Sequence, residues 1–386
     1  MPVPHPFTAD QVAIALGTRP EAIKLWGLVV RLGPAARLVH TGQHYDEDMW
    51  AGVIDELPGM DIDHHIGVGG MSRGEQIGSA TAALTRHLLE HPARALVVQG
   101  DTNAALAGAL AANGVGIPVV HLEAGLRSDD RAMPEEINRV LVDALADLCC
   151  APTRANAARL GAEGVSPERV CVTGNTLAEA IERLLPEPAA RDATLASFGV
   201  AAGGYVLATL HRANNVDEPG CLRSLLEGLA SLAREVPVLL PLHPRTQARA
   251  SRFGLTPLLD DLRVLPPLAP RQFLSLEAEA RLLLSDSGGV QEEAALLRRP
   301  LVVLRDTTER PELVSAGWCR LLGADPPRAV IARAWQDAPS WLGLLSEKTP
   351  PYGATEASAR VLAEIDRRWP ARTLGATATA SVGPAR

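Results

Sequence analysis

The stretch Val12-Ala13-Ile14-Ala15-Leu16 runs directly into Gly17-Thr18-Arg19-Pro20-Glu21-Ala22-Ile23-Lys24. Five apolar residues without alternation, closed by a glycine and followed by a helical pattern, read as a strand covered on both faces that turns into a helix. Pro20 suits a first helical turn, and Thr18 with Glu21 has the spacing of a capping box. That leaves Arg19 and Lys24, two cations near a helix start, where the macrodipole disfavours positive charge. The placement makes sense if an anion, phosphate or carboxylate, is held there. Of 37 basic residues only two are lysines, Lys24 and Lys348, which adds weight to a requirement for a compact ammonium at position 24.

The same unit recurs along the chain. Apolar runs at 38–41, 95–99, 118–122, 147–151 and 170–173 continue the series begun at 12–16, and a second series lies at 206–210, 236–240, 262–265, 281–285 and 300–304. Helical patterns at 21–32, 72–90, 103–113, 135–146, 222–235 and 289–298 separate them. Strands alternating with helices predict an α/β fold of two Rossmann-like, doubly wound parallel-sheet domains, with one site in the cleft where their carboxyl ends meet. The expected domains are 1–176 and 177–354, with the seam near 175–187 ahead of a low-contact stretch, EPAARDATLASFGVAAGG; an amphipathic helix at 356–369 and a disordered tail at 371–386 follow.

Composition narrows the function classes. With 386 residues and 47% hydrophobic content the chain can build two cores, which excludes global disorder. A net charge of −8 without a basic stripe argues against nucleic acid as a partner. No run is long and apolar enough for a membrane span, and MPVPHPFTAD lacks the pattern of a signal peptide. Five cysteines with no CxxC pair fit a reduced, cytoplasmic chain.

The chemistry lies in the loops that follow the strands. After 95–99 comes Gly100-Asp101-Thr102-Asn103, where Asp101 is either a helix cap or a site carboxylate. After 118–122 comes Glu123-Ala124-Gly125-Leu126-Arg127, then Pro134-Glu135-Glu136-Ile137-Asn138-Arg139. Glu123 ends an apolar strand, so its carboxylate must be paired or carry a proton; Glu135 and Glu136 also suit a first helical turn. In the second half, His211-Arg212 and His243-Pro244-Arg245 occupy corresponding post-strand positions. Asp286-Ser287-Gly288-Gly289 opens a helix whose N–H groups suit a phosphate, and Glu293 lies within reach of a ribose diol. Arg305 and Arg310 sit in the next loop, Arg305-Asp306-Thr307-Thr308-Glu309-Arg310. There is no GxxxxGK[ST], no GxGxxG after the first strand and no HExxH, and DxD occurs only at Asp61-Ile62-Asp63. Phosphoryl transfer on a P-loop and a standard nicotinamide fingerprint are therefore disfavoured, and no metal is expected.

At these residues the chain resembles the non-hydrolysing UDP-N-acetylglucosamine 2-epimerases. The matching segments are GTRPEAIKL, TGQHYDEDM, GDTNAALAGALAA, HLEAGLR, PEEINR, VTGNT, LHR, DSGGVQEE and RDTTERPE. The resemblance implies a GT-B-like domain pair with the last helix, about 355–370, crossing back to the first domain. It also implies a homodimer and no dissociable cofactor or metal. The implied reaction converts UDP-N-acetylglucosamine to UDP-N-acetylmannosamine by eliminating UDP to a 2-acetamidoglucal and adding it back. Asp101, Glu123, Glu135 and His211 would then serve acid/base and charge-stabilising roles. Arg19, Lys24, Arg139 and Arg310 would hold diphosphate or order the carboxylates, and His243, Ser287, Gly288, Gly289 and Glu293 would contact the nucleotide. Which carboxylate takes the C2 proton stays open, as do a hydrolysing epimerase, a GT-B glycosyltransferase and a non-catalytic sugar-nucleotide binder. Two departures stand out. His211-Arg212-Ala213-Asn214-Asn215 replaces the family's frequent HRREN, and Gln43-His44-Tyr45-Asp46-Glu47 replaces QHREM, the segment tied to a second, activating nucleotide sugar.

Overall fold

The apolar runs form two parallel sheets. A computed structural model describes residues 10–43, 54–323, 326–352 and 356–371. The expectations made for MPVPHPFTA, for His44 to Glu47 and for the tail beyond 371 lie outside the described residues. The first sheet contains β1 (Val12–Leu16), β2 (Ala36–His40), β3 (His64–His65), β4 (Ala95–Gln99), β5 (Val119–Leu122), β6 (Leu148–Ala151) and β7 (Val170–Val172). The second contains β8 (Val206–Thr209), β9 (Val238–Pro241), β10 (Arg263–Leu265), β11 (Leu282–Ser285), β12 (Leu301–Val303) and β13 (Cys319–Leu321). Their orders are β3-β2-β1-β4-β5-β6-β7 and β10-β9-β8-β11-β12-β13. Every pairing is parallel.

In each sheet the strand order reverses once, between β1 and β4 and between β8 and β11, and a crevice opens at such a reversal beyond the strand ends. The loops after these four strands are among those singled out in the sequence. All five residues of β1 are fully buried, as its unbroken apolar run requires. Gly17 closes that strand because a Cβ there would stand 2.8 Å from the Ala104 Cβ and closer still to the Thr41 hydroxyl. Only a residue without a side chain lets the loops after β1 and β4 approach this closely.

The helix Ala357–Arg368 returns to the first sheet. Its Val361 and Ile365 join the core that contains Leu25 and Leu28 of the helix Arg19–Leu32. Arg94 Nη1 bonds Asp366 at 2.7 Å, and the Ser358 amide donates to Glu179 at 3.1 Å. The helix Leu177–Leu184 packs into that same core through Leu177, Ala180, Ile181 and Leu184.

Three expectations need correction. The stretch 187–204 was expected to make few contacts, but it forms the helix Pro188–Ser197, with Leu195 buried and Arg191 paired to Glu279 at 2.7 Å. The capping box at Thr18 is only half made. Glu21 accepts from the Gly17 amide at 3.0 Å and from the Thr18 hydroxyl at 2.8 Å, so that hydroxyl donates to the glutamate rather than capping the helix. The short edge strands β3 and β13 were not anticipated. Next to β3, the Asp63 carboxylate accepts the Leu38 amide at 2.7 Å, which makes Asp63 a strand tie.

Candidate active site

The post-strand loops of both sheets enclose one cleft of about 700 Å³, within the range of small-molecule sites. Arg19, Lys24, Asp101, Glu123, Arg139, His211, His243, Ser287, Gly288, Gly289, Glu293 and Arg310 all line it. Glu135 does not; it sits on the first turn of the helix Pro134–Leu145 with Arg212, a lining residue, 3.3 Å away.

The first half supplies carboxylates, each held differently. Glu123 follows β5 with φ 67°, in the left-handed region that a residue other than glycine enters at some cost. Burial pushes its carboxyl up, and the nearby Glu292 pushes it further; Lys24, which hydrogen-bonds it, only partly offsets this. The Lys24 ammonium also lies 2.8 Å from Glu292. Burial works against that charge, yet the two carboxylates outweigh it and the lysine stays protonated. Asp101 has the opposite balance. Burial raises its carboxyl, but the Arg139 guanidinium, bonded through Nε at 3.2 Å and also through Nη2, wins and holds it below the usual range. Thr102, not Asp101, caps the helix Asn103–Gly114, by accepting the Ala105 amide at 3.0 Å. The capping reading of Asp101 is thereby excluded.

The second half supplies fixed cations, a histidine and backbone N–H groups. Asp286, fully buried, accepts the His211 and Arg212 amides at 3.0 and 2.9 Å and lies 3.1 Å from His211 Nδ1. That contact fixes the ring and leaves Nε2 as its remaining exchangeable nitrogen. His243 stands next to it with ring centroids 5.6 Å apart, and its Nδ1 accepts the Arg245 amide at 3.1 Å as a helix cap. The helix Gly288–Leu296 begins at Ser287 with no side-chain cap, so its first N–H groups are presented to the cleft. A Cβ on Gly288 would meet Arg310 Nη1 at 2.9 Å, which shows how closely that guanidinium lies over the turn. Arg310 itself is bonded to Glu292 at 2.8 Å, and Glu309 is pulled down to about 2, against its burial, by Arg310 and Arg305.

Glu123, Lys24, Glu292 and Arg310 thus form one buried chain of alternating charge that crosses between the halves. Arg19 adds a second crossing through the Leu268 carbonyl at 3.3 Å. Sequence reading gave no role to Glu292, Glu309 or Asp286, and it left Glu136, which accepts from Arg139 at 2.6 Å, between a loop carboxylate and plain first-turn placement. It also gave Glu21 a capping role only. Glu21 joins the loops after β1 and β4 by accepting the Thr102 hydroxyl at 2.8 Å, and burial raises its carboxyl to about 7. Adjacent carboxylates in a helix interior, as in Gln291-Glu292-Glu293, were the available signal.

The family model described as UDP-N-acetylglucosamine 2-epimerase matches residues 33–366. The chain belongs to the UDP-N-acetylglucosamine 2-epimerase family. The UDP-N-acetylglucosamine 2-epimerase of Methanococcus maripaludis is 39% identical over 324 residues, covering 82% of this chain and 88% of its own. The UDP-2,3-diacetamido-2,3-dideoxy-D-glucuronate 2-epimerase of Pseudomonas aeruginosa is 34% identical over 91% of this chain and 98% of its own. The crystal structure of the Methanocaldococcus jannaschii UDP-GlcNAc 2-epimerase in complex with UDP-GlcNAc and UDP superposes with a TM-score of 0.81. It is 35% identical, over 92% of this chain and 99% of that one. The epimerase family's two parallel α/β sheets, in a GT-B-like arrangement, are those described above.

Proposed function

We propose that this protein interconverts UDP-N-acetylglucosamine and UDP-N-acetylmannosamine with UDP retained. The observation that carries the reading is the buried chain Glu123–Lys24–Glu292–Arg310 beside the uncapped helix at Gly288. It places fixed positive charge and N–H groups against a carboxyl whose proton affinity is raised.

The C2 hydrogen of the sugar is not adjacent to a carbonyl, so departure of UDP must lead. Arg310, Arg19 and the N–H groups of Gly288 and Gly289 take up the negative charge that develops on the diphosphate. A base removes the C2 proton, its electron pair becomes the C1–C2 double bond, and the C1–O bond to UDP breaks. Reprotonation at C2 on the opposite face and return of UDP to C1 give the epimer. Two proton carriers on opposite faces are therefore needed. Asp101, Glu123 and His211 supply them from different walls of the cleft, and Glu135, which does not line it, stabilises charge through Arg212, 3.3 Å away. Glu293 and Ser287 hold the nucleotide, with His243 next to them. The working form is a cytoplasmic homodimer, the two domains within each subunit join near 175–187, and no metal or dissociable cofactor takes part.

Incubation with UDP-N-acetylglucosamine in deuterium oxide, followed by proton NMR, tests this. The C2 proton signal should disappear while the UDP-sugar persists and a second epimer grows. Free sugar with UDP would assign a hydrolysing enzyme, and exchange seen only with the diacetamido-glucuronate nucleotide would move the substrate class.

A further inference from the structure

Glu277 lies on the helix Pro270–Glu279, one turn beyond Phe273 and Leu274, which line the cleft. It is fully buried, and neither carboxyl oxygen meets a hydrogen-bond donor among the described residues. The group in contact with it is another carboxyl, that of the half-buried Glu293, which faces the cleft. Two ionised carboxylates have no proton to share, so this contact becomes a hydrogen bond only when one of them is protonated. A bare carboxylate at Glu277 would be a buried charge with no counterion, the arrangement that proteins avoid by neutralising the group.

We propose that Glu277 is a positioning residue: its protonated carboxyl donates to Glu293 and aims the Glu293 carboxylate at the vicinal hydroxyls of a nucleoside ribose. The inference rests on the sugar-nucleotide reading above and goes beyond it by naming the device that prepares the nucleotide end of the cleft. Burial, followed by the proximity of Glu293, pushes the Glu277 carboxyl well above the ordinary range. Burial raises Glu293 to about 7, while Lys24 and the Glu277 contact pull it back and Glu292 pushes it up. No hydrogen bond joins any other side chain of the neighbouring elements to Glu277 among the described residues. The Tyr205 phenol donates to the Leu276 carbonyl, Arg191 pairs with Glu279 at 2.7 Å, and Glu179 accepts the Ser358 amide at 3.1 Å. The proton therefore belongs to Glu277, and the negative charge to the member that faces the ligand. Below about pH 7 the pair holds two protons and Glu293 is a poorer acceptor; above it, Glu293 is ionised and can accept from both hydroxyls.

The test compares the wild type with Glu277→Gln and Glu277→Leu. It reads kcat and KM for UDP-N-acetylglucosamine, whose phosphates do not titrate near neutrality, from about pH 6 to about pH 8.5. The wild-type KM should fall as pH rises through the Glu293 transition. In Glu277→Leu, KM should rise about tenfold near pH 8 with kcat within about twofold, and the transition should move to higher pH because a donor to Glu293 is gone. Glu277→Gln keeps a donor of the same shape and should stay within about threefold of wild type. A UDP-sugar lacking the ribose 2′-hydroxyl should be penalised strongly by the wild type and weakly by Glu277→Leu. The proposal is overturned if KM in Glu277→Leu matches wild type, if Glu277→Gln is as impaired as Glu277→Leu, or if the deoxy penalty is the same in both. An inactive wild type would overturn the epimerase reading instead; calorimetric binding of UDP at a fixed pH, which needs no turnover, would still decide on Glu277.

Discussion

The two walls of the cleft solve the burial of charge in opposite ways. On the first-half wall the carboxyls of Glu123 and Glu21 keep a raised affinity for protons, because burial outweighs the partners available to them. On the second-half wall Glu292, Glu309 and Asp286 are held ionised by Arg310, Lys24, Arg305 and the contacts from His211 and its backbone. Asp101 is the exception on the first wall, since Arg139 gives it a full counterion. The first wall can exchange protons near neutral pH; the second is an anvil of fixed charge except at its nucleotide end, where burial raises the Glu293 carboxyl to about 7. The lesson is that function divides by the supply of counterions, although the two folds are topologically alike.

If that division is right, the largest effects come from the first wall. Glu123→Gln and Asp101→Asn should each lower kcat by at least ~10²-fold, the lower range for loss of a general acid or base, while UDP affinity changes by only a few-fold. Single-turnover and binding measurements would separate the two, and near-normal kcat in both variants would break the comparison. Next in size, Arg310→Ala should act mainly on binding. Calorimetry should show UDP affinity lowered by about 10-fold or more, as for truncation of one partner in a buried charged pair. An unchanged affinity would remove Arg310 from the diphosphate site.

The sharpest test of the contrast leaves turnover aside and reads stability, because the sign of the effect differs between the walls. Glu21 has a folded value of about 7 against 4.5 for an ordinary carboxyl. Between those values the folded state holds a proton that the unfolded state has released, so stability falls as pH rises across the window. Glu309, at about 2, does the reverse. Its contribution is complete above the ordinary carboxyl value and is lost as pH falls toward 2, an effect of about 3 kcal/mol for a buried group. Urea titrations of Glu21→Gln and Glu309→Gln against pH should therefore lose slopes of opposite sign. Slopes of the same sign would mean that the walls do not differ.

The sequence carried the architecture and the cleft because both are written locally. An unbroken apolar strand, a glycine and a charged helix start lie within thirteen residues of one another at Val12 to Lys24, and the pattern repeats. The missed strands have no such local mark. β3 is two exposed histidines held in register by their neighbours, and β13 is three residues with Arg320 exposed. The helix Pro188–Ser197 was hidden because a single deeply buried side chain, Leu195, anchors an otherwise exposed surface. Candidate site residues were legible as residue types at strand ends, but their partners were not. Lys24 meets Glu292 across 268 positions, Asp286 reaches back 75 to His211, and Glu277 finds Glu293 from a different helix. Such pairings arise only when the two sheets face each other. The reading of Thr18 and Glu21 was incomplete for a related reason: the local motif was correct in spacing, but Glu21 accepts from the Thr18 hydroxyl through one oxygen and, through the other, from Thr102 of another loop.

The alternating row from Glu123 to Arg310 has one more consequence. Its positive and negative members already balance while the cleft holds only solvent, so a diphosphate brings surplus anionic charge into a place that is electrically full. The member least committed to ionisation, Glu123, is the natural one to absorb the difference by capturing hydronium equivalents from bulk. Nucleotide docking should then alkalinise an unbuffered solution, and its measured heat should scale with the ionisation enthalpy of the chosen buffer.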